Sequence, residues 1–140
     1  MIPFIQRLFR IDQKKIKRPE QEKELIRHFT SLLNGCAFCQ DTSQMRGEKA
    51  NIPLEKFRDL LKFEDSKAFD PDEKVMLSYV RELVEQKKVS EDTYSKLSEH
   101  FSEEGIIEIT WIASTEVYMN LMNQAFDIRS DGFCEKARRG

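Results

Sequence analysis

The chain has 140 residues, of which 34% are charged, and its formal net charge at pH 7 is −2. This length is typical of one domain and suffices to bury a hydrophobic core without disulfide bonds. The balanced charge argues against a nucleic-acid or anionic-membrane partner, and no apolar run approaches the roughly 18 residues of a membrane span. The N-terminus is apolar and then basic, the wrong order for a secretory signal. With only three cysteines, we expect a cytoplasmic protein.

Apolar residues recur at helical spacing along most of the chain, and no segment alternates apolar and polar residues as a strand does. The segment 18–33 carries its apolar residues on one face and ends at an Asn-Gly pair, which is typical of a helix end. A second helix is predicted from Cys36 to about Gly47. A short third helix is predicted with Pro53 near its first turn.

Three further helices follow, each with its own start signal. Asp70 and Glu73 match a capping box, and a proline at the first helical position strengthens this start. A helix over 90–101 comes next, and Ser102 caps a long last helix. That last helix is apolar on most of its circumference, so we expect it to be central. The chain is therefore predicted to be an all-α, single-domain bundle of about six to seven helices.

Cys36 and Cys39 lie three residues apart at the start of the second predicted helix. This spacing puts both sulfurs on one face, close enough for a disulfide, and a helix N-terminus stabilises a thiolate. Lowering a thiol pKa from ~8.5 to roughly 6.5 makes the thiolate the majority form at neutral pH. The spacing therefore favours a redox dithiol. Two alternatives stay open: buried structural cysteines, or half of a zinc site completed from Cys134, His28 or His100.

Glu116, Asn120 and Asn123 form a polar stripe on the otherwise apolar last helix. A buried carboxylate and two buried amides are costly unless they are paired. They either line a cavity beside the dithiol or make a hydrogen-bonded contact between helices or subunits, and we favour the contact. Cys134, in an apparent loop, is interpreted as an exposed or tucked thiol.

The stretch LLNGCAFCQDTSQMRG resembles the signature of the carboxymuconolactone decarboxylase superfamily, on its alkylhydroperoxidase D-like side. That pattern has a Glu, the first Cys of a Cys-x-x-Cys pair twelve residues later, and a His four residues after the second Cys. Glu24, Cys36 and Cys39 match it, whereas Ser43 occupies the His position. The likeness continues through the later helices, including an Asn-x-x-Asn pair, and covers about residues 18–128.

This resemblance implies an alkylhydroperoxidase D-like fold and a homo-oligomer, commonly a trimer or hexamer. It also implies a thiol-dependent peroxidase or disulfide oxidoreductase with an antioxidant role, Cys36 and Cys39 being the redox pair and Glu24 a proton acceptor. The implied partners are a peroxide or disulfide substrate and an external thiol reductant. No cofactor, metal, nucleic acid or membrane is implied.

The missing histidine leaves the proton relay incomplete. The Ser43 hydroxyl has no pKa near 7 and cannot replace imidazole as a general base. His28, one helical turn after Glu24, is a candidate to supply the imidazole instead, and Asn120 is a candidate supporting residue. Two other functions stay open: a decarboxylase-like lyase that binds a carboxylate with His28 and Arg46, and a catalytically weak oligomeric module.

The sequence divides into three segments. Residues 1–17 are apolar and then basic, are expected to include a short helix, and are a candidate for exchange between subunits. Residues 18–128 are predicted to form the alkylhydroperoxidase D-like domain. Residues 129–140 are predicted to be a C-terminal tail.

Overall fold

The computed structural model describes residues 14–130, together with the isolated positions 3, 7, 10, 11 and 132. Between residues 16 and 130 the chain forms six α-helices and one 3-10 turn, and this part contains no strand. The helices are α1 (Glu20–Asn34), α2 (Ala37–Lys49), α3 (Leu54–Asp59) with the 3-10 turn Leu60–Lys62, α4 (Pro71–Gln86), α5 (Glu91–His100) and α6 (Glu103–Ala125). The prediction of an all-α bundle of about six to seven helices is confirmed.

The predicted helix starts occur where the capping residues placed them. The Asp70 carboxylate accepts the Glu73 N–H at 2.8 Å, and the Glu73 carboxylate accepts the Asp70 N–H at 3.0 Å. Ser90 and Ser102 cap α5 and α6 through their hydroxyls. Each such cap satisfies backbone N–H groups that have no partner inside the helix, and is worth about 1 kcal/mol.

The hydrophobic core packs α1 against α4 and α6, and the 3-10 turn and α5 add to it. Its fully buried members are aliphatic, aromatic or sulfur-containing: Ile26, Phe29, Leu60, Phe63, Met76, Leu77, Val80, Leu97, Ile109, Ile112 and Ala113. Phe63 contacts Phe29 edge to face, with ring centroids 5.6 Å apart. Full burial of one large apolar side chain contributes about 1.5–3 kcal/mol.

The most buried helix is α1; α6, expected to be central and covered on several sides, packs on α1, α2, α4 and α5 but is exposed on one side. All nine residues from Lys23 to Ser31 are buried, and α1 packs on α2, α4, α6 and the 3-10 turn. In contrast, α6 keeps an exposed side, where Ile107 is 62% exposed and Leu121 is 63% exposed. Six of the nine buried α1 residues are polar or charged, which is why the apolar pattern did not reveal the position of this helix.

Some expectations fall wholly or largely outside the described residues. The short N-terminal helix, the exchange of residues 1–17 and the environment of Cys134 stay predictions for this reason. None of the described helices combines the length and apolarity that a membrane span requires.

Candidate redox site

A sharp turn brings the two cysteines to the N-terminal end of α2. Gly35 follows α1 with a φ of 69°, a left-handed conformation that favours glycine. The next residue, Cys36, donates its N–H to the Ser31 carbonyl at 3.1 Å and is the N-cap of α2. The turn thus joins the last residues of α1 directly to the start of the Cys-x-x-Cys segment.

Cys36 and Cys39 form a disulfide, with their Cα atoms 5.3 Å apart. Cys36 Sγ accepts the Cys39 backbone N–H at 3.4 Å, and Cys39 Sγ accepts Asn123 Nδ2–H at the same distance. Both residues are at least 97% buried. Each sulfur faces a hydrogen-bond donor, which favours a thiolate once the disulfide is reduced, whereas burial of the two residues acts in the opposite direction.

Two of the other candidate zinc ligands, His28 and His100, contact other side chains, and the third, Cys134, lies outside the described residues. His28 Nδ1 lies against Ser43, and His100 Nδ1 pairs with Asp72 Oδ1 at 2.6 Å. Within residues 14–130 and the isolated described positions, no group of three or more His, Cys, Asp or Glu is arranged to hold a metal ion.

Glu24 lies in a buried ion cluster. Its Oε1 accepts hydrogen bonds from Arg27 Nη1 at 2.7 Å and from Arg46 Nε at 3.0 Å. Glu24 and Arg27 are buried, whereas the Arg46 side chain is 35% exposed. A buried carboxylate requires such partners, since its desolvation is otherwise very costly. The hydrogen bonds of Glu24 in the described structure go to these arginines and not to a sulfur, and its role as proton acceptor stays a prediction.

His28 and Ser43 are brought together, although they lie on different helices. His28 Nδ1 is 3.0 Å from Ser43 Oγ and 3.1 Å from the Gln40 carbonyl oxygen. Ser43 is fully buried and donates its hydroxyl to the Cys39 carbonyl at 2.7 Å. Burial lowers the pKa of His28 to about 4, while the hydrogen bond to Gln40 acts in the opposite direction. The imidazole is therefore neutral at pH 7 and lies against the position where the resemblance expected a histidine.

The polar stripe of α6 makes two different contacts. Ser31 donates its hydroxyl to Glu116 Oε1 at 2.9 Å, and Asn120 Nδ2 donates to Ser31 Oγ at 3.0 Å. Asn34 Nδ2 donates to Asn120 Oδ1, also at 3.0 Å. Glu116 and Asn120 thus form the favoured contact between helices, and Asn120 supports the cysteine turn indirectly. Asn123, three residues further along α6, contacts the disulfide itself.

The pKa of Glu116 is shifted upward. Burial raises the pKa of Glu116, and the negative charge of Glu24 adds to the rise. The hydrogen bond from Ser31 and the positive charges of Arg27 and Arg46 act in the opposite direction. Sequence reasoning placed Glu116 and Asn123 in one stripe and offered a position beside the dithiol as the alternative it did not favour; the contact with Cys39 matches that alternative for Asn123, whereas the pairing of Glu116 with Ser31 was not found. Their common face on α6 was the only available signal.

Comparison with known proteins gives similarities of sequence and of structure. No model of a protein family matches the chain. The uncharacterized protein YdfG of Bacillus subtilis is 28% identical over 92 residues, covering 64% of this chain and 63% of YdfG. The match thus spans less than two thirds of that relative's length.

Among solved structures, a protein of unknown function from Agrobacterium tumefaciens, suggested to be the antioxidant defence protein AhpD, superposes with a TM-score of 0.85. It is 21% identical, and the alignment covers 91% of this chain and 88% of that one. The chain has the alkylhydroperoxidase D-like fold. The apo debrominase Bmp8 superposes with a TM-score of 0.84 at 20% identity, covering 94% of this chain and 71% of Bmp8. The fold therefore carries more than one enzymatic activity.

Proposed function

We propose that this protein is a thiol-dependent peroxidase or disulfide oxidoreductase that cycles Cys36 and Cys39 between a dithiol and a disulfide. The observation that carries the proposal is the disulfide itself, at the N-terminus of α2 with a hydrogen-bond donor facing each sulfur. The similarity in fold to a protein suggested to serve antioxidant defence supports the same chemistry.

The proposed oxidation begins with the thiolate of one cysteine attacking the terminal oxygen of a peroxide. The O–O bond breaks, an alcohol or water leaves, and a sulfenic acid forms on the attacking sulfur. The second thiol then condenses with the sulfenic acid, which releases water and closes the disulfide. Cys36 is the better candidate for the attacking thiolate, because it is the N-cap of α2. An external dithiol reduces the disulfide and is itself oxidised.

His28 supplies the imidazole of this site in our proposal. It is neutral at pH 7 and its Nδ1 donates to the Gln40 carbonyl, so Nε2 is its proton-accepting nitrogen, and the pKa of about 4 makes that nitrogen a weak base. His28 Nδ1 lies 3.0 Å from Ser43 Oγ. In our proposal, the imidazole of His28 on α1 therefore takes the place of the histidine that α2 lacks at position 43. The lyase alternative ranks lower, because Arg46 contacts Glu24 while His28 contacts Ser43 and Gln40. Both side chains are thus already bound by groups of the chain itself.

The test is peroxide consumption with dithiothreitol as the reductant. Cys36→Ser removes the proposed attacking thiolate and should reduce turnover to the rate without enzyme. Cys39→Ser cannot close the disulfide and should turn over below the wild-type rate, through a sulfenic acid that dithiothreitol reduces directly. Cys134→Ser is the matched control and should keep the wild-type rate. A parallel assay with a small disulfide in place of the peroxide separates the two substrate classes. Wild-type rates in both cysteine variants would rule out the proposed function and favour the catalytically weak module.

A further inference from the structure

Ser31 connects the buried carboxyl of Glu116 to the cysteine turn. Its hydroxyl donates to Glu116 Oε1 at 2.9 Å, and its carbonyl accepts the Cys36 N–H at 3.1 Å. On the other side of the disulfide, Asn123 of the same α6 stripe donates to Cys39 Sγ. Glu116 is therefore two hydrogen bonds from the backbone of Cys36, and its helix also contacts the second sulfur.

The two buried carboxyls of this region have different partners. Glu24 accepts hydrogen bonds from two guanidinium groups, which hold its negative charge by direct contact. The donors to Glu116 in the described structure are the neutral groups of Ser31 and Asn120. A thiolate formed at the cysteine turn would add a further negative charge to this poorly solvated region, which is unfavourable. Of the two carboxylates, Glu116 therefore has the less strongly stabilised negative charge.

We propose that Glu116 takes up a proton when the disulfide is reduced and releases it when the disulfide re-forms. The negative charge of the site then moves between the Glu116 carboxylate and a cysteine thiolate. This inference rests on the proposed dithiol–disulfide cycle and assigns its second proton.

The protons and electrons of this cycle balance. An external dithiol supplies two electrons and two protons and becomes a disulfide; one proton goes to a cysteine thiol, the other to Glu116, and the second cysteine stays a thiolate. In the oxidation the thiolate takes the terminal peroxide oxygen, and the departing alkoxide becomes an alcohol with the proton that Glu116 releases to solvent. The remaining thiol proton leaves in the water of the condensation step.

The electrostatic surroundings of Glu116 agree with this role. Burial raises its pKa, which brings proton uptake closer to neutral pH. The charged groups that act on Glu116 are Glu24 and Arg27 on α1 and Arg46 on α2. The other titratable groups on helices packed against α6 are the neutral His28 on α1, Tyr79 on α4 with Lys87 after its end, and Tyr94 on α5; the last three line pockets that do not include Glu116. A cysteine thiol and the Glu116 carboxyl that interact in this way titrate as a coupled pair, so the two groups share the exchanged proton.

The experiment measures the redox equilibrium of the full chain with dithiothreitol between about pH 6 and pH 8, below the pKa of unperturbed thiols. Reduced dithiothreitol carries two protons. If the wild-type protein also takes up two, the equilibrium constant does not change with pH. Glu116→Gln should take up only one proton, so its constant should increase tenfold in favour of the reduced protein for each unit of pH. Glu108→Gln, on another buried carboxyl of α6 that accepts the Lys17 N–H outside this site, is the matched control and should behave as wild type.

Three results would overturn the inference: a pH-independent constant in Glu116→Gln, a tenfold dependence in the control Glu108→Gln as well, or no infrared signal from a new carboxylic acid when the wild-type disulfide is reduced. The infrared difference spectrum needs no variant, so it decides the matter even if Glu116→Gln does not fold. No peroxide enters these measurements. A protein that shows the expected proton uptake but consumes no peroxide would count against the proposed function and leave this inference standing.

Discussion

The two halves of the interior differ in chemistry, although α1 contributes to both. One half is apolar, with Phe29 of α1 packed against Phe63, Met76 and Leu77. The other half, where α1 meets α2 and the second half of α6, buries charged and polar side chains: Glu24, Arg27, His28, Ser31, Ser43, Glu116 and Asn120. Buried ion pairs are often no more stabilising than apolar groups of the same volume. The polar half is thus better explained by chemistry than by stability, and the disulfide lies there.

Among substitutions in the polar half, Glu24→Gln is expected to have the largest effect on the free energy of unfolding. It removes the negative charge opposite two guanidiniums, one of them buried, and should lower the free energy of unfolding by about 3–5 kcal/mol. Urea denaturation measures this. Glu55→Gln, on an exposed Glu–Arg pair, is the control and should change stability by less than about 0.5 kcal/mol. Equal stabilities of the two variants would show that the ion cluster does not hold the polar half together.

Leu77→Ala perturbs the apolar half alone. Leu77 is fully buried, so the substitution should cost about 3–4 kcal/mol through lost burial and the cavity that remains. It should leave the dithiothreitol equilibrium of the folded protein unchanged, because Leu77 belongs to the other half. A shifted redox equilibrium in Leu77→Ala would contradict the separation of the two regions.

The third effect concerns pH and His28. Unfolded histidine binds a proton below about pH 6.5, whereas folded His28 does so only below about pH 4. The unfolded state therefore binds more protons in this window, and about 3 kcal/mol of stability present above pH 6.5 is lost as the pH falls to about 4. His28→Gln should lack this part of the acid destabilisation, as measured by urea denaturation at both pH values. The partly exposed His100→Gln serves as the control and should retain it.

The smallest effect is expected from Asn123→Leu. The variant loses the hydrogen bond to Cys39 Sγ, so the thiolate of the reduced protein should lose about 1.5 kcal/mol of stabilisation, or roughly tenfold in its population. Thiolate absorbance against pH measures the change. Ser114→Ala, on the exposed side of the same helix, should leave the titration unchanged. An unaltered titration in Asn123→Leu would mean that the amide does not act on the sulfur.

Local signals predicted the helices because they depend on neighbouring residues. Asp70 and Glu73 meet within one turn, and Gly35 ends α1 by its own backbone conformation. The shared face of the two cysteines follows from their spacing in the same way. The alkylhydroperoxidase D-like fold was anticipated from a motif rather than from periodicity.

The missed features depend on contacts between distant parts of the chain. Glu116 is 85 residues from Ser31, and Asn123 is 84 residues from Cys39. The central position of α1 was missed because Lys23 and Arg27 are usual surface residues, and their burial depends on acidic partners. Helical periodicity shows which residues lie on the same face of a helix, but it does not show which other helix packs against that face.

The most direct test of the dithiol cycle is mass spectrometry of the fully reduced protein after addition of one equivalent of peroxide. The cycle predicts a loss of two hydrogen atoms per chain and a peptide map in which Cys36 is joined to Cys39. Cysteines that stay reduced, or a disulfide that joins either of them to Cys134, would contradict it.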